Sequence, residues 1–267
     1  MRDVAFETAT AITPRSPGVF GADCSRAWFT PRGPHGGFLA AIVVRAMTQT
    51  IDEPARAPRS ITLHYLRPPA EGDVEIAVTV ERAGRSLSTL TAHLTQDGKL
   101  CVIAIAAFSI GFDPIVDYAP NPPDVPPPEK FDPVAVHPEQ AAMARRFAIQ
   151  PLDVRPRDGS RDIVVGGWMA LREPPPVDAA LLALLADGYM PTPWVKAKRL
   201  VGAPTIDLTI HFRVPDPAAY VAQGEPVLGI FRSKESFDGF FDEEGELWSP
   251  GGVLLAQCRQ LGLLMGL

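Results

Sequence analysis

The sequence predicts an α+β protein made of two like halves, each a buried helix followed by an antiparallel meander. Three observations carry that reading. Residues 38–47 (Phe-Leu-Ala-Ala-Ile-Val-Val-Arg-Ala-Met) are apolar on nearly every face of a helix, and a helix without a polar face is a buried one. A second apolar helical run at 177–186, carrying Leu181, Leu182, Leu184 and Leu185, is also followed by strand-like segments. Between the halves, from Pro114 to Pro138, the chain is dense in proline, which excludes a helix interior or a central strand and favours an extended connector. The chain therefore divides into an N-terminal repeat at 1–113, a connector at 114–138 laid over a surface, and a C-terminal repeat at 139–267.

In the first half, His35-Gly36-Gly37 opens the buried helix. Strands are expected at 60–67, 74–81 and 86–94, and the turn Gln96-Asp97-Gly98 leads into a buried strand at 100–108. In the second half, Pro174-Pro175-Pro176 precedes the helix and Asp187-Gly188 stops it. Strands follow at 205–213, 226–232 and 237–248, and the turn Ser249-Pro250-Gly251-Gly252 leads into 253–264. The segment Asp242–Gly245 with Glu246 reads as a solvated turn between strands. Ile61–Arg67 can be laid over Asp207–Arg213, a repeat spacing of about 145 residues that suggests a duplicated domain. The two helices are expected to be wrapped separately rather than packed on each other.

Composition narrows the function. The chain has 267 residues, 46% of them hydrophobic, which is enough for a core and excludes a disordered tail protein. A net charge of -6 and no basic stripe exclude a nucleic-acid binder. The longest apolar runs, 38–44 and 100–108, fall short of the roughly 18–20 residues of a membrane span. The first seven residues carry acids where a signal peptide needs apolar side chains, and Cys24, Cys101 and Cys258 are scattered, so a reducing, cytoplasmic setting is expected. Nucleotide, nucleophile-elbow and metalloprotease motifs are missing, and the five histidines are dispersed, so neither a metal nor a cofactor is expected.

Several motifs, in order, resemble the type II acyl-CoA thioesterases. These are the Gly36-Gly37 helix start, Leu66-Arg67-Pro68-Pro69 and Gln96-Asp97-Gly98 in the first half. In the second half they are Thr205-Ile206-Asp207-Leu208-Thr209-Ile210-His211-Phe212, then Gly245-Glu246-Leu247-Trp248, and the strand ending Cys258-Arg259-Gln260. The resemblance implies a double hotdog fold, two repeats whose antiparallel sheets each wrap a central helix. It also implies hydrolysis of an acyl-CoA thioester to free acid and CoA, through a water held by an Asp, a Ser or Thr, and a Gln. Carried over, these are Asp207, Ser233 and Gln260, with Lys234 in place of Ser233 if the register slips by one.

Strand alternation sets Asp207, Thr209, His211 and Arg213 on one face and Leu208, Ile210 and Phe212 on the other. Laid on the first repeat, Asp207 falls on Ile61, Ser233 on Ala83 and Gln260 on Ala106, so each polar candidate replaces an apolar residue and one active site per chain is expected. The bland reading of Asp207 and Gln260 is a polar sheet face. Gly36 and Gly37 could offer backbone N–H groups to a thioester oxygen or phosphate, or could simply allow close helix packing. His35 and Phe38 flank them as substrate-binding candidates, although a family polar residue is replaced by Phe38. Cys258 shares the parity of Gln260 but lacks an activating cation other than Arg259. Two other functions stay open: a non-catalytic acyl-CoA or lipid-binding module, and an enoyl-CoA hydratase, which would need the Asp207–His211 spacing to serve as its catalytic pair. An outer sheet face carrying Leu63, Tyr65 and Ile105 would favour a homodimer.

Overall fold

The computed structural model describes residues 5–128, 130–135, 141–154, 161–199 and 201–266; the end of the expected connector, 136–138, with His137, lies outside them. The first half contains strands β1 (Ile12–Ser16) and β2 (Val19–Cys24), helix α1 (Gly36–Ile51), and strands β3 (Ala57–Tyr65), β4 (Gly72–Ala83), β5 (Leu87–Gln96) and β6 (Lys99–Ser109). The second contains β7 (Phe147–Pro151), β8 (Ile163–Leu171), α2 (Ala179–Leu185), β9 (Thr205–Phe212), β10 (Val227–Ser233), β11 (Phe240–Trp248) and β12 (Leu254–Leu263). These twelve strands, with a short thirteenth (Ser236–Phe237) paired to β11, form one continuous sheet in the order β1-β2-β4-β5-β6-β3-β9-β12-β11-β10-β8-β7. Read from either end, that order is the same topology twice, so the duplication is a pseudo-two-fold, with β3 and β9 paired antiparallel at its centre. This is the double hotdog.

Turn chemistry and burial pattern explain most elements. Asp97 and Gly98, both at positive φ (50° and 71°), close the two-residue hairpin between β5 and β6. In α1 every residue from Gly37 to Val44 is buried, as are Ala46 and Met47, so the all-apolar stripe faces sheet on one side and helix on the other. Each fully buried Phe, Leu, Ile or Met there contributes roughly 1.5–3 kcal/mol of transfer free energy. Asp178 caps α2, accepting from the Leu181 N–H at 2.8 Å.

Four strands escape the sequence pattern. Gly21 interrupts β2, where the Arg15 guanidinium fills the space a Cβ would need, and Gly166-Gly167 interrupt β8. The edge strand β7 ends on Pro151, and β1 is exposed along most of its length. None of them shows a clean period of two.

The helices are not wrapped separately. They pack antiparallel, side by side on the concave face: a Cβ on Gly37 would lie 2.6 Å from the Leu184 carbonyl oxygen, and Arg45 pairs with Asp178 at 3.2 Å. Because β3 and β9 join edge to edge, the sheets share one concave face and both helices must lie on it. That face also holds Leu63, fully buried, and the half-buried Tyr65. The outer face at the centre instead carries Thr62, His64, Thr209 and His211, with Ile105 beside them, so the apolar outer patch expected from Leu63 and Tyr65 does not form.

Part of the proline-rich segment covers the outer face of the second half. Val125 and Phe131 pack on the buried row Trp168, Leu228 and Trp248, and the Trp168 indole donates to the Pro126 carbonyl at 3.0 Å.

Candidate active site

The pseudo-two-fold fixes which residues of the two halves are equivalent. Both β3 and β9 carry a bulge, at Arg59 and at Ile206, and the Thr62 and Thr209 hydroxyls meet at 3.0 Å between the strands. Matching these features lays Ser60 on Asp207, Ile61 on Leu208 and Leu63 on Ile210, one residue away from the overlay expected from sequence. Asp207 therefore replaces a half-buried serine and not the buried Ile61. Following the ladders outward, the first half reads Ile61, Ala106, Leu90, Val80 across β3, β6, β5 and β4. The second half reads Leu208, Gln260, Glu243 across β9, β12 and β11, and the β10 register continued past Arg232–Glu244 sets Ser233 opposite Glu243. Gln260 thus matches Ala106 as expected, Ser233 matches Val80 rather than Ala83, and Glu243 matches the fully buried Leu90.

In that row the buried Ala106 and Leu90 have become the buried Gln260 and Glu243, and the exposed Val80 has become a buried serine. Glu243 is 4% exposed, Gln260 7% and Ser233 3%. The Thr192 N–H donates to Glu243 Oε2 at 2.8 Å, Gln260 Nε2 donates to Glu243 Oε1 at 2.6 Å, and Thr205 Oγ1 donates to Gln260 Oε1 at 2.7 Å. The Ser233 hydroxyl lies 3.4 Å from both the Glu235 carbonyl and Asp242 Oδ1. Burial pushes the Glu243 carboxyl up to about 7, opposed by its hydrogen bonds and assisted by the charge of Asp187. Cys258, beside Gln260, donates to the Ala186 carbonyl at 3.3 Å, and burial with the nearby Glu243 and Asp187 pushes its thiol far up, so it is no nucleophile.

A carboxyl raised from 4.5 to about 7 on folding keeps a proton that the unfolded chain has released. Its contribution is complete below about pH 4.5 and is lost as pH rises through 7, a change of about 3 kcal/mol if no other group compensates. Denaturant unfolding at several pH values is expected to show that decline, and Glu243→Gln to remove most of it. An unchanged slope in the variant would assign the decline to other groups.

The start of α1 is held by the end of α2. His35, 5% exposed, precedes the helix; its Nε2 lies 2.7 Å from the Asp187 carbonyl and 3.4 Å from the Asp187 carboxylate. The same carboxylate accepts the Gly37 N–H at 2.9 Å, a favourable place for an anion at a helix N-terminus. Tyr65 donates to the Gly36 carbonyl at 2.9 Å. A Cβ on Gly36 would meet Asp187 and Tyr65, so both glycines serve this close approach. Phe38 is fully buried and stacks on Trp28 with ring centres 5.5 Å apart.

Asp207 stands apart from Gln260. It pairs with Leu261 and His64, whereas Gln260 pairs with Leu208, and neighbouring pairs of an antiparallel ladder point to opposite faces. The bulge at Ile206 leaves Thr205, not Asp207, on the inner face with Gln260. Thr205, Asp187 and Glu243 are the functional candidates that sequence reasoning missed. Glu243 belongs to β11 and not to a solvated turn; its neighbours Asp242, Glu244 and Glu246 alternate to the other face, where Glu244 pairs with Lys234 at 3.0 Å. Among the described residues no cluster of three His, Cys, Asp or Glu side chains is placed to hold a metal.

Residues 25–109 match the acyl-CoA thioesterase N-terminal domain, and residues 119–264 match the acyl-CoA thioesterase C-terminal domain. The chain belongs to the acyl-CoA thioesterase family. Rv0499, an uncharacterised Mycobacterium tuberculosis protein, is 26% identical over 97% of this chain and 98% of its own length. A hot dog protein of unknown function from Alicyclobacillus acidocaldarius superposes with a TM-score of 0.88 at 28% identity, covering all of both chains. Acyl-CoA thioesterase II TesB2 from Mycobacterium marinum shares the fold, with a TM-score of 0.79 at 19% identity over 98% of this chain and 97% of that one.

Proposed function

We propose that the chain is an acyl-CoA thioesterase with one reaction site, in the second half. The observation that supports this is the buried Glu243–Gln260 pair, standing where the first half has Leu90–Ala106 in a chain of thioesterase domains. A buried polar pair in an otherwise apolar row costs stability unless it has partners and a task. Water adds to the thioester carbonyl, the carbon–sulfur bond breaks, and the acid and CoA thiol leave. Gln260 orients that water, and Ser233 flanks the same row. His35, Gly36, Gly37 and Phe38 bound the helix start; for the Gly37 N–H to reach a thioester oxygen, the Asp187 carboxylate has to release it.

Asp207 enters through family resemblance, and its carboxylate lies on the outer face. Activity of a folded Asp207→Asn variant decides its part: a loss of about 10²-fold or more places reacting water at the bulge, and retention confines the site to the inner row. A hydratase pairing of Asp207 with His211 is disfavoured, because His211 is exposed on the outer face. The reading is tested with acyl-CoAs of graded chain length and a thiol-detecting reagent. Saturable thiol release is expected; binding without release from any of them would favour the non-catalytic acyl-CoA module.

A further inference from the structure

The hydrogen-bond chain from Thr192 through Glu243 and Gln260 to Thr205 has a direction, and one proton sets it. Both carboxyl oxygens of Glu243 accept, from the Thr192 N–H at 2.8 Å and from Gln260 Nε2 at 2.6 Å, which is the pattern of a carboxylate. A protonated Glu243 cannot aim its hydrogen at the Thr192 N–H that already occupies Oε2; a proton carried on Oε1 faces Gln260. Two donors would then oppose each other unless the Gln260 amide turns over, giving Oε1 to Glu243 and Nε2 to Thr205. Thr205 Oγ1, which now donates to Gln260 at 2.7 Å, would become the acceptor and turn its own hydrogen outward. Each donor from Glu243 to Thr205 is reversed.

We propose that Glu243 is a positioning residue for hydrolysis, acting through Gln260 and Thr205, and that only its ionised form holds the Thr205 hydrogen on Gln260 and so leaves both lone pairs of the Thr205 oxygen open to the reacting water. The inference rests on the thioesterase reading and adds a residue that the family resemblance does not assign. The first half has no such chain, since Leu90 and Ala106 occupy the equivalent positions. The groups facing Glu243 are Gln260 and Cys258 from β12, Ser233 from β10, and the Thr192 N–H, the Thr192 hydroxyl and Asp187 from the segment after α2. Asp187 is the charged group acting on it among the described residues, and it has the same sign. The Cys258 thiol stays protonated. With burial, these surroundings bring the carboxyl to about 7, where ordinary changes of pH titrate it.

The test measures kcat and KM across about two pH units on either side of 7. In the unmodified chain kcat is expected to rise about tenfold per unit and level above 7, with KM steady. Glu243→Gln must give its carbonyl oxygen to Thr192 and its amide hydrogens to Gln260, fixing the reversed order. It is expected to show a flat kcat, about tenfold or more below the plateau. Glu243→Leu, the residue of the first half, is expected to be equally flat. A persisting inflection near 7 in either variant would overturn the proposal. A second readout needs no substrate: the side-chain amide resonances of Gln260, followed by ¹⁵N NMR in the full chain, should shift with pH and lose that shift in Glu243→Gln. Resonances that ignore pH in the unmodified chain would also overturn it. If they titrate while no acyl-CoA is hydrolysed, the thioesterase reading falls, and with it the role in hydrolysis, but the proton-directed chain stands.

Discussion

Gln260→Ala is expected to lower kcat/KM for acyl-CoA hydrolysis by about 10²–10³-fold while the protein stays folded. The first half already carries alanine here: Ala106 sits between Ile61 and Leu90 as Gln260 sits between Leu208 and Glu243. The backbone therefore accepts the small side chain. What is lost is chemical, namely the donor to Glu243 Oε1 and the acceptor for the Thr205 hydroxyl. The orphaned Glu243 oxygen should cost about 1–3 kcal/mol, felt most above pH 7 where the carboxyl is charged. Circular dichroism and a melting temperature establish the fold, and thiol release gives the rate. A natively folded variant within tenfold of full activity would remove the inner row as the reaction site.

The helices, the two inner meanders and the duplication were legible because apolar periodicity survives wherever a strand has one face on the core. What escaped did so for identifiable reasons. Gly21 and the Gly166-Gly167 pair break the alternation of β2 and β8, because close backbone or guanidinium approach leaves no room for a side chain. A bulge is invisible to strict alternation: alternation sets Asp207 on the face opposite the buried Leu208, Ile210 and Phe212, as observed, but only the bulge at Ile206 brings Thr205 inward. The repeat overlay found Gln260 opposite Ala106 but was one residue off at Asp207, since no turn signal marks Arg59 and Ile206 as the matching positions. Glu243 was hidden by its company. In the run from Asp242 to Glu246 acids alternate between faces, and only the comparison with Leu90 separates the buried one from its solvated neighbours.

That comparison also predicts that the second half can be rebuilt as the first. The double variant Glu243→Leu with Gln260→Ala restores the Leu90–Ala106 pair in the equivalent row and is expected to be catalytically dead, with a loss of about 10³-fold or more. Its stability should move the other way. Removing one partner of a buried polar pair strands the other, whereas replacing both with apolar groups of suitable shape is often neutral or stabilising. At pH 8 the unmodified chain bears the penalty of a charged, buried Glu243, which the double variant lacks. Against that gain stands the Thr192 N–H, which loses its acceptor at a cost of about 1–3 kcal/mol. The double variant should therefore be at least as stable as the unmodified chain at pH 8, and clearly more stable than Gln260→Ala alone. The non-additivity of the single variants in denaturant unfolding measures their coupling. Additive losses, with the double variant the least stable of the set, would mean that the two side chains pack independently and that the row is polar for a reason other than this pair.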